Sequence, residues 1–482
     1  MTSQARQFKS GAIYLFATLV DSVVPVITLP IFTRILSVED YGALALAQVY
    51  ALFAGGLANV GLNTAYNRNY FQYSQDKARE GQLFFSTILF VVFSSCAFGL
   101  LTFLWREPLS AFVIRFPHYG ELLFWSFCGN CLINLRLYFL TYLRNKDRPK
   151  QYVANTILLS GLNLAVSLYC VVILRVGVMG IVYAQVISSL VVLVFLALQL
   201  RRELPFGFSW MMLTEELKIG APLLPMIIFG VVGNHFDKYM VGLLSTVGGV
   251  GVYSVGQKIA MLIFTFTTSL QNVFSPQIYK KMFDGTAESP AEIGRYITPF
   301  AYIVALMALL LVLFAEEAVW LLMPPSFYGA IDIIILLSLF YTLLFFGKIN
   351  GDQLIYAKKT MMTSVIIMGG AVVNVIFNIP FILKWGAVGA AGATLGSRVV
   401  TGGIVFKVAQ HFYRVGWEYR KLGMIFAILF AAAFLLLILR AWAVPYPLRV
   451  VVKIAVLGGY GYVGFKIGFF HAMSPFSKRK VL

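Results

Sequence analysis

Long apolar segments recur along the whole of this chain and constrain its fold more than any other feature. The chain has 482 residues, of which 60% are hydrophobic and only 12% are charged, whereas soluble domains hold about 25% charged residues. A helix needs about 20 apolar residues to cross the hydrocarbon core of a membrane. The sequence therefore predicts an all-α polytopic membrane protein with about fourteen spans. They lie near residues 11–33, 43–65, 83–105, 121–143, 153–174, 180–200, 220–243, 252–274, 297–320, 330–350, 362–383, 388–410, 422–443 and 449–470.

The chain also repeats itself at an offset of 209 residues. Residues 218–221 repeat the Lys-x-Gly-Ala pattern of residues 9–12, and the same shift carries Gly42 to Gly251. Seven of the thirteen glycines in the first copy fall on another glycine after the shift, where chance would give about one or two. This self-similarity predicts that the chain contains two copies of one module.

The repeat predicts the domain organisation. Six spans in each copy give both modules the same orientation, as in parallel repeats related by an axis along the membrane normal. We predict a six-helix lobe over residues 1–207, a second lobe over 208–416, and two additional transmembrane helices with a cytoplasmic tail over 417–482.

The net charge of +18 indicates membrane topology and not nucleic-acid binding. Most of the 38 Lys and Arg residues fall at the two termini and in every second connection between spans. Basic segments of this kind stay on the cytoplasmic side and contact anionic membrane lipids. Both termini of the multi-pass protein are therefore predicted to be cytoplasmic.

Sequence motifs of membrane enzymes are absent. The chain has no His-Glu-x-x-His, no Asp-x-Asp and no Gly-rich phosphate loop, and the connections between spans are too short for a separate soluble domain. The four cysteines lie in apolar segments, where they are interpreted as packing residues without disulfides. We therefore predict that the protein moves a substrate and is not an enzyme.

Ionisable residues within the predicted spans mark the candidate site, because each costs about 2.5–3.5 kcal/mol at the centre of a membrane helix. They are Asp21, Arg136, Asp237, Lys238, Lys258, Lys348 and Arg398. Five are basic and two are acidic, so pairing within the set cannot neutralise it. This excess of positive charge predicts a water-filled cationic cavity that binds an anion, such as a phosphate or an acidic sugar.

Most of these residues also have a structural interpretation. Lys348 and Lys258 lie near the ends of spans, from which a long side chain can reach the membrane interface. Asp237 cannot share a helix face with the lysine that follows it, and a structural role would pair it with Lys258 or Arg398. Asp21 has no charged neighbour on its own helix, and it is either a site for H+ or Na+ or a structural partner of a base.

Short motifs next to the spans occur in a fixed order along the chain. Thr33-Arg34-Ile35-Leu36 and Tyr41-Gly42 follow the first span. Phe236-Asp237-Lys238-Tyr239, Gly251-Val252-Tyr253-Ser254 and Pro276 occupy corresponding places in the second half. In order and spacing these stretches resemble the Wzx-type polysaccharide flippases, which share a superfamily with the MATE drug exporters. The resemblance covers essentially the whole chain and includes the two trailing helices.

The resemblance implies a MATE-like fold of two six-helix lobes and a specific kind of transport. Such flippases carry undecaprenyl-pyrophosphate-linked oligosaccharide repeat units, including those of the lipopolysaccharide O-antigen, across the bacterial inner membrane by alternating access. The implied substrate-binding residues are Arg34, Arg136, Lys238, Lys258, Lys348 and Arg398. Asp21 and Asp237 are the implied residues for coupling to H+ or Na+, with no cofactor. Arg34 has an equally weighted structural interpretation, in which it caps the first span or orders the turn with Glu39 or Asp40.

The expected partners are the lipid-linked oligosaccharide, membrane lipids, a polysaccharide polymerase and a chain-length regulator. Three alternatives stay open at this point. A MATE-like exporter of cationic drugs predicts an excess of acidic residues in the cavity, whereas the excess here is basic. A membrane polymerase or ligase predicts a long periplasmic loop with paired Arg or His residues. A scaffold without transport activity would leave the charges within the spans unexplained.

Overall fold

The described part of the chain is built from helices. A computed structural model describes residues 23–466 except 285 and 287, and no strand occurs among them. These residues form two compact units, Met1–Ser254 and Val255–Leu482, and the boundary falls within one long helix, α11. The domain limits predicted from the repeat differ from this division, and they remain a prediction about the duplication.

The first unit is a series of long helices joined by short turns. They are α1 (Leu29–Ile35), α2 (Val38–Asn59), α3 (Leu62–Tyr73), α4 (Lys77–Leu104), α5 (Arg106–Val113), α6 (Gly120–Asn145), α7 (Pro149–Leu168), α8 (Met179–Leu200), α9 (Trp210–Gly220), α10 (Leu224–Leu244) and the start of α11 (Val247–Asp284). Prolines account for the break between α9 and α10, because Pro222 lies in the 3-10 turn Ala221–Leu223 and proline cannot donate a helical hydrogen bond.

The second unit continues α11 and adds six further helices. These are α12 (Ser289–Leu313), α13 (Ala315–Leu322), α14 (Ala330–Tyr356), α15 (Thr360–Phe412), α16 (Tyr419–Ala441) and α17 (Tyr446–Lys466). Its core contains buried aromatic and aliphatic side chains from α11, α12 and α14, together with Trp417 in the turn before α16. Large apolar side chains such as Trp442, which is 77% exposed, face outward, as expected for a surface that meets lipid.

The structure confirms that the chain contains a series of long, apolar helices, as predicted for membrane spans. Twelve helical segments within the described residues are long and apolar enough to cross a membrane. One of them, Ser364–Phe412, covers the two predicted spans 362–383 and 388–410, and the backbone leaves the helical region at Gly386, with φ 57° and ψ −134°. The first predicted span, 11–33, lies mostly outside the described residues, so the total of fourteen remains a prediction.

Glycines related by the 209-residue offset have similar local roles. Gly177 and Gly386 both adopt positive φ, 68° and 57°, which glycine accepts without a steric penalty. Gly42 packs against Val247, and its counterpart Gly251 packs against Val38, which is the counterpart of Val247. The contacts at these positions therefore follow the offset seen in the sequence.

A buried ionic network connects the two last helices to the rest of the second unit. Glu316, which is 4% exposed, accepts hydrogen bonds from three bases. These are Arg440 at 3.2 Å, Lys453 at 3.3 Å and Arg449. Arg440 also bonds Asp332 at 2.9 Å. Because each base comes from α16 or α17, the network holds both helices against α13 and α14.

Acidification should weaken this network, which also includes Glu317, the acceptor of hydrogen bonds from Lys453 at 2.7 Å and Tyr446 at 2.8 Å. Burial alone would raise the pKa of Glu317, but hydrogen bonds from Lys453 and Tyr446 outweigh burial and bring the pKa below its ordinary value of 4.5. A carboxyl with a lowered pKa in the folded state adds stability above its unfolded pKa, and this stability is lost as the pH falls through the folded pKa. We expect the melting temperature to fall in acid, and Glu317→Gln should flatten that dependence. An unchanged acid profile in the variant would contradict this role.

Candidate functional site

The turn after the first predicted span contains Arg34 and is ordered by other residues. Ser37 and Asp40 form a reciprocal cap, with Asp40 N donating to Ser37 Oγ at 3.0 Å and Ser37 N donating to Asp40 Oδ2 at 3.2 Å. Arg34 itself is exposed, and no carboxylate in the described residues forms an ion pair with it. The turn is therefore ordered by Ser37 and Asp40, and not by an ion pair of Arg34 with Glu39 or Asp40. Asp21 lies outside the described residues.

Three other predicted residues lie in the first unit. Arg136 is half-buried on α6, and Lys238 is half-buried on α10. Asp237 is only 6% exposed and accepts a hydrogen bond from Tyr253 at 3.2 Å. The hydrogen bond from Tyr253 offsets part of the cost of burying the Asp237 carboxyl group. This arrangement is compatible with a structural role and with an ion-coupling role.

The remaining predicted residues lie in the second unit. Lys258 is half-buried on α11, and Lys348 is exposed on α14, as expected of a lysine that reaches the interface. Arg398 is half-buried on α15, and its guanidinium packs against the backbone of α14 at Gly347. The structure thus brings Arg398 next to the turn of α14 that contains Lys348, and the two side chains differ in exposure.

A cavity of about 540 Å³ adjoins Arg398. Its walls come from α14, the second half of α15 and α16, and most of the side chains are apolar or aromatic. The lining residues with large side chains include Phe346, Arg398, Phe406, Trp417, Phe426 and Phe430. Ligand sites in proteins are commonly cavities of about 300–1,000 Å³ with apolar walls and a few polar groups. This cavity has that character, and its one ionised lining group is the guanidinium.

Several polar atoms of the lining residues have no hydrogen-bond partner within the described residues. They are Nε of Arg398, Nε1 of Trp417 and Oδ1 of Asn350, all buried. No carboxylate in the described ranges lies within ion-pair distance of Arg398. A guanidinium that is partly withdrawn from water and has no counter-ion is costly, and an anion that accepts its hydrogen bonds would offset this cost. The arrangement can therefore bind an acidic group attached to an apolar body.

Gly347 makes room for the guanidinium, which leads to a paired prediction. A Cβ at residue 347 would collide with Arg398, whereas a Cβ at Gly351, one turn along α14, meets nothing within 4 Å. Both Gly→Ala changes gain up to about 1 kcal/mol of helix propensity. A difference in transport between the two variants therefore comes from the contact with Arg398 at the cavity. We expect Gly351→Ala to keep or raise the melting temperature and to retain transport. Gly347→Ala should impair transport, and equal behaviour of the two variants would contradict this geometry.

Besides Glu316, sequence reasoning missed three buried carboxyl groups. Glu80, Glu216 and Asp352 are 2%, 0% and 3% exposed, although all three lie outside the predicted spans. Glu80 pairs with Lys146 at 2.8 Å, and Asp352 accepts hydrogen bonds from Ser275 and Tyr279, both at 3.1 Å. The sequence signal that could have found them is an acid within a turn of an apolar segment.

Sequence comparison identifies the family. The profile of the family described as "Polysaccharide biosynthesis protein" matches residues 31–332, which is more than half of the chain. No curated protein sequence matches. The match includes the motifs after the first span and those around Asp237.

Structural comparison identifies the fold. An inward-facing multidrug resistance MATE family transporter of the MOP superfamily superposes with a TM-score of 0.60 at 17% identity, covering 82% of this chain and 94% of that one. A MOP superfamily transporter from Pyrococcus furiosus gives 0.56 at 18% identity, over 84% and 95%. A Vibrio cholerae MATE transporter gives 0.55 at 14% identity, over 84% and 96%. At these identities the likeness shows the fold alone.

The family match and the fold agree with the resemblance expected from the short motifs. Both agree with a multi-pass helical protein of polysaccharide biosynthesis on a MATE-like frame. The chain belongs to the polysaccharide biosynthesis protein family and has the MATE-type fold of the MOP superfamily.

Proposed function

We propose that the protein is a flippase for undecaprenyl-pyrophosphate-linked oligosaccharide repeat units. It would move them across a bacterial inner membrane by alternating access, with both termini in the cytoplasm and without enzymatic activity. The polysaccharide biosynthesis family and the MATE-type fold support transport in glycan assembly. The observation that carries the choice of substrate is Arg398, a half-buried cation beside an apolar cavity, whose Nε is buried and which has no protein counter-ion in the described residues.

The chemistry of the cavity fits a lipid-linked pyrophosphate in two respects. The guanidinium of Arg398 can hold two phosphate oxygens at once, because its planar group presents parallel N–H donors, and the indole N–H of Trp417 is a further donor. The aromatic walls formed by Phe406, Phe426 and Phe430 suit an isoprenoid chain. At about 540 Å³ the cavity is sized for the pyrophosphate and the adjacent part of the lipid, not for the whole oligosaccharide.

The other predicted residues have narrower roles in this proposal. Arg136, Lys238 and Lys258 are half-buried cations that would contact pyrophosphate or acidic sugar at other stages of transport. Arg34 and Lys348, both exposed, would meet the substrate only at the membrane surface. Asp237, which is buried and bonded to Tyr253, and Asp21 would couple transport to H+ or Na+.

A second candidate is an exporter of another anionic small molecule on the same frame. The Pyrococcus furiosus transporter is described as having a binding pocket of reverse polarity that suggests a different function, so frames of this superfamily accommodate more than one kind of cargo. The apolar walls around Arg398 favour an amphipathic substrate over a small hydrophilic anion.

Deletion of the chromosomal copy tests the proposed function. We expect the deletion strain to lose surface glycan and to accumulate lipid-linked repeat units in the inner leaflet, and a plasmid copy should reverse both changes. The expected partners, a polymerase and a chain-length regulator, must be intact in this strain. Normal surface glycan without the protein would contradict the proposal, and accumulation of unlinked sugar nucleotides would indicate an earlier, enzymatic step.

A further inference from the structure

Glu216 on α9 is completely buried and has an unusual partner. The residue is 0% exposed, and its Oε2 lies 2.5 Å from Oγ1 of Thr87 on α4. Its other oxygen, Oε1, is buried with no hydrogen-bond partner in the described residues. No Lys, Arg or His within those residues lies at ion-pair distance from it. An ionised carboxylate in this setting would have little to offset its loss of water.

The hydroxyl of Thr87 lies within hydrogen-bond distance of two acceptors, so its bonding depends on whether Glu216 is protonated. Oγ1 of Thr87 also lies 2.7 Å from the carbonyl oxygen of Leu83. A hydroxyl has one proton and can donate to one acceptor only, whereas a carbonyl oxygen cannot donate. If Thr87 donates to Leu83, the contact with Glu216 is a hydrogen bond only when Glu216 is the donor, which requires a protonated carboxyl. An ionised Glu216 would instead take the Thr87 proton and leave the Leu83 carbonyl without that bond.

The groups that surround Glu216 do not supply a compensating positive charge. The adjacent Glu215 is held by Tyr73, at 2.8 Å, and by Arg68, at 3.9 Å. Tyr138 on α6 donates to Asn59 at 2.5 Å, and its hydroxyl interacts electrostatically with Glu216. The titratable and charged groups on the surrounding elements are Tyr66, Arg68 and Tyr73 on α3, Glu80 on α4, Tyr138 on α6, and Glu215 and Lys218 on α9. Of the two cations, Arg68 lies at ion-pair distance from Glu215 and Lys218 is exposed, and neither lies at ion-pair distance from Glu216.

We propose that Glu216 is a proton-binding site that couples proton uptake and release to the docking of α9 against α4. In the docked arrangement the carboxyl is neutral and donates to Thr87. Release of the proton to water leaves a carboxylate that needs solvent, so α9 must separate from α4 or admit water. Because α9 continues through the turn Ala221–Leu223 into α10, this movement reaches the helix that contains Asp237 and Lys238. The coupling rests on the proposed transport function; the proton site itself does not.

Infrared spectroscopy of the purified full-length protein in nanodiscs tests the proton site. We expect the wild type at neutral pH to show the C=O stretch of a buried carboxylic acid, and Glu216→Gln to lack it. Glu215→Gln is the matched control and should retain the band. Thr87→Val removes the hydrogen-bond acceptor of Glu216 and should shift the band without abolishing it. This variant tests the same contact independently if Glu216→Gln folds poorly. Absence of the band in the wild type overturns the proposal.

Glycan export at different external pH values tests the coupling. Glu216→Gln, a mimic of the neutral carboxyl, should lose the dependence of export on pH, whereas Glu215→Gln should keep the wild-type dependence. Wild-type export and pH dependence in Glu216→Gln overturn the coupling. If the wild type exports no glycan, the proposed function fails, and the infrared result still decides whether Glu216 binds a proton.

Discussion

Replacing Arg398 with Ala should abolish export of surface glycan while the protein remains at normal abundance in the membrane. The change removes the one ionised side chain that lines the cavity of the second unit. Removing one partner of a buried, charge-assisted contact costs about 2–5 kcal/mol of binding, which corresponds to a loss of more than tenfold in affinity. Without the guanidinium, the pyrophosphate would enter an apolar cavity with no counter-charge.

Two further variants distinguish a substrate contact from a packing role. Arg398→Lys keeps the charge but not the planar pair of donors, so we expect partial export. Lys407→Ala removes an exposed cation from the same helix and should export like the wild type. Normal export by Arg398→Ala, or a loss in Lys407→Ala as large as in Arg398→Ala, would refute the role assigned to the guanidinium. Export and membrane abundance are measured in the same deletion strain.

Replacing Glu316 with Gln should strongly destabilise the second unit. The variant leaves Arg440, Arg449 and Lys453 close together without the carboxylate that they share. Breaking a buried ion pair by neutralising one partner costs about 3–5 kcal/mol. Lys453 and Arg440 keep Glu317 and Asp332 as partners, whereas Arg449, whose side chain is only 14% exposed, loses its carboxylate. Thermal unfolding of the purified protein should therefore begin at a clearly lower temperature than in the wild type.

An exposed ion pair in the same unit provides the comparison. Glu292 pairs with Lys281, and their side chains are 42% and 30% exposed. Surface pairs contribute about 0–1 kcal/mol, so Glu292→Gln should unfold close to the wild-type temperature. Similar melting temperatures for Glu316→Gln and Glu292→Gln would show that the network does not hold α16 and α17. Since α16 lines the cavity, Glu316→Gln should also reduce export.

Hydropathy was sufficient to predict most of the membrane helices, because a membrane span must satisfy its backbone internally and remain apolar over a fixed length. The predicted span 330–350, for example, corresponds to the helix Ala330–Tyr356. The predicted span 83–105 corresponds to Lys77–Leu104, which starts earlier because the polar first turn is helical and capped by Asp76. Polar ends of helices carry no hydropathy signal, so the predicted limits of the spans are less accurate than their order along the chain.

Residue roles were predictable only where the sequence places a residue at an energetic cost, as it does with a charged side chain inside a membrane span. Arg398 stood out as a charge within a span, and the structure places it at a cavity. Glu216 did not stand out, because it lies between the predicted spans 180–200 and 220–243; only the packing of α9 against Thr87 shows that it is buried. The break between the predicted spans 362–383 and 388–410 falls at Gly386, whose positive φ ends one helix and begins another.

The most direct test of pyrophosphate recognition by Arg398 compares the binding of two lipids to the purified protein in nanodiscs. Undecaprenyl pyrophosphate and the uncharged undecaprenol share their isoprenoid chain and differ in the anion. We expect the wild type and Lys407→Ala to prefer the pyrophosphate, and Arg398→Ala to lose this preference but keep weak binding of both lipids. Equal binding of the two lipids by the wild type, or an unchanged preference in Arg398→Ala, would contradict recognition of the pyrophosphate by Arg398.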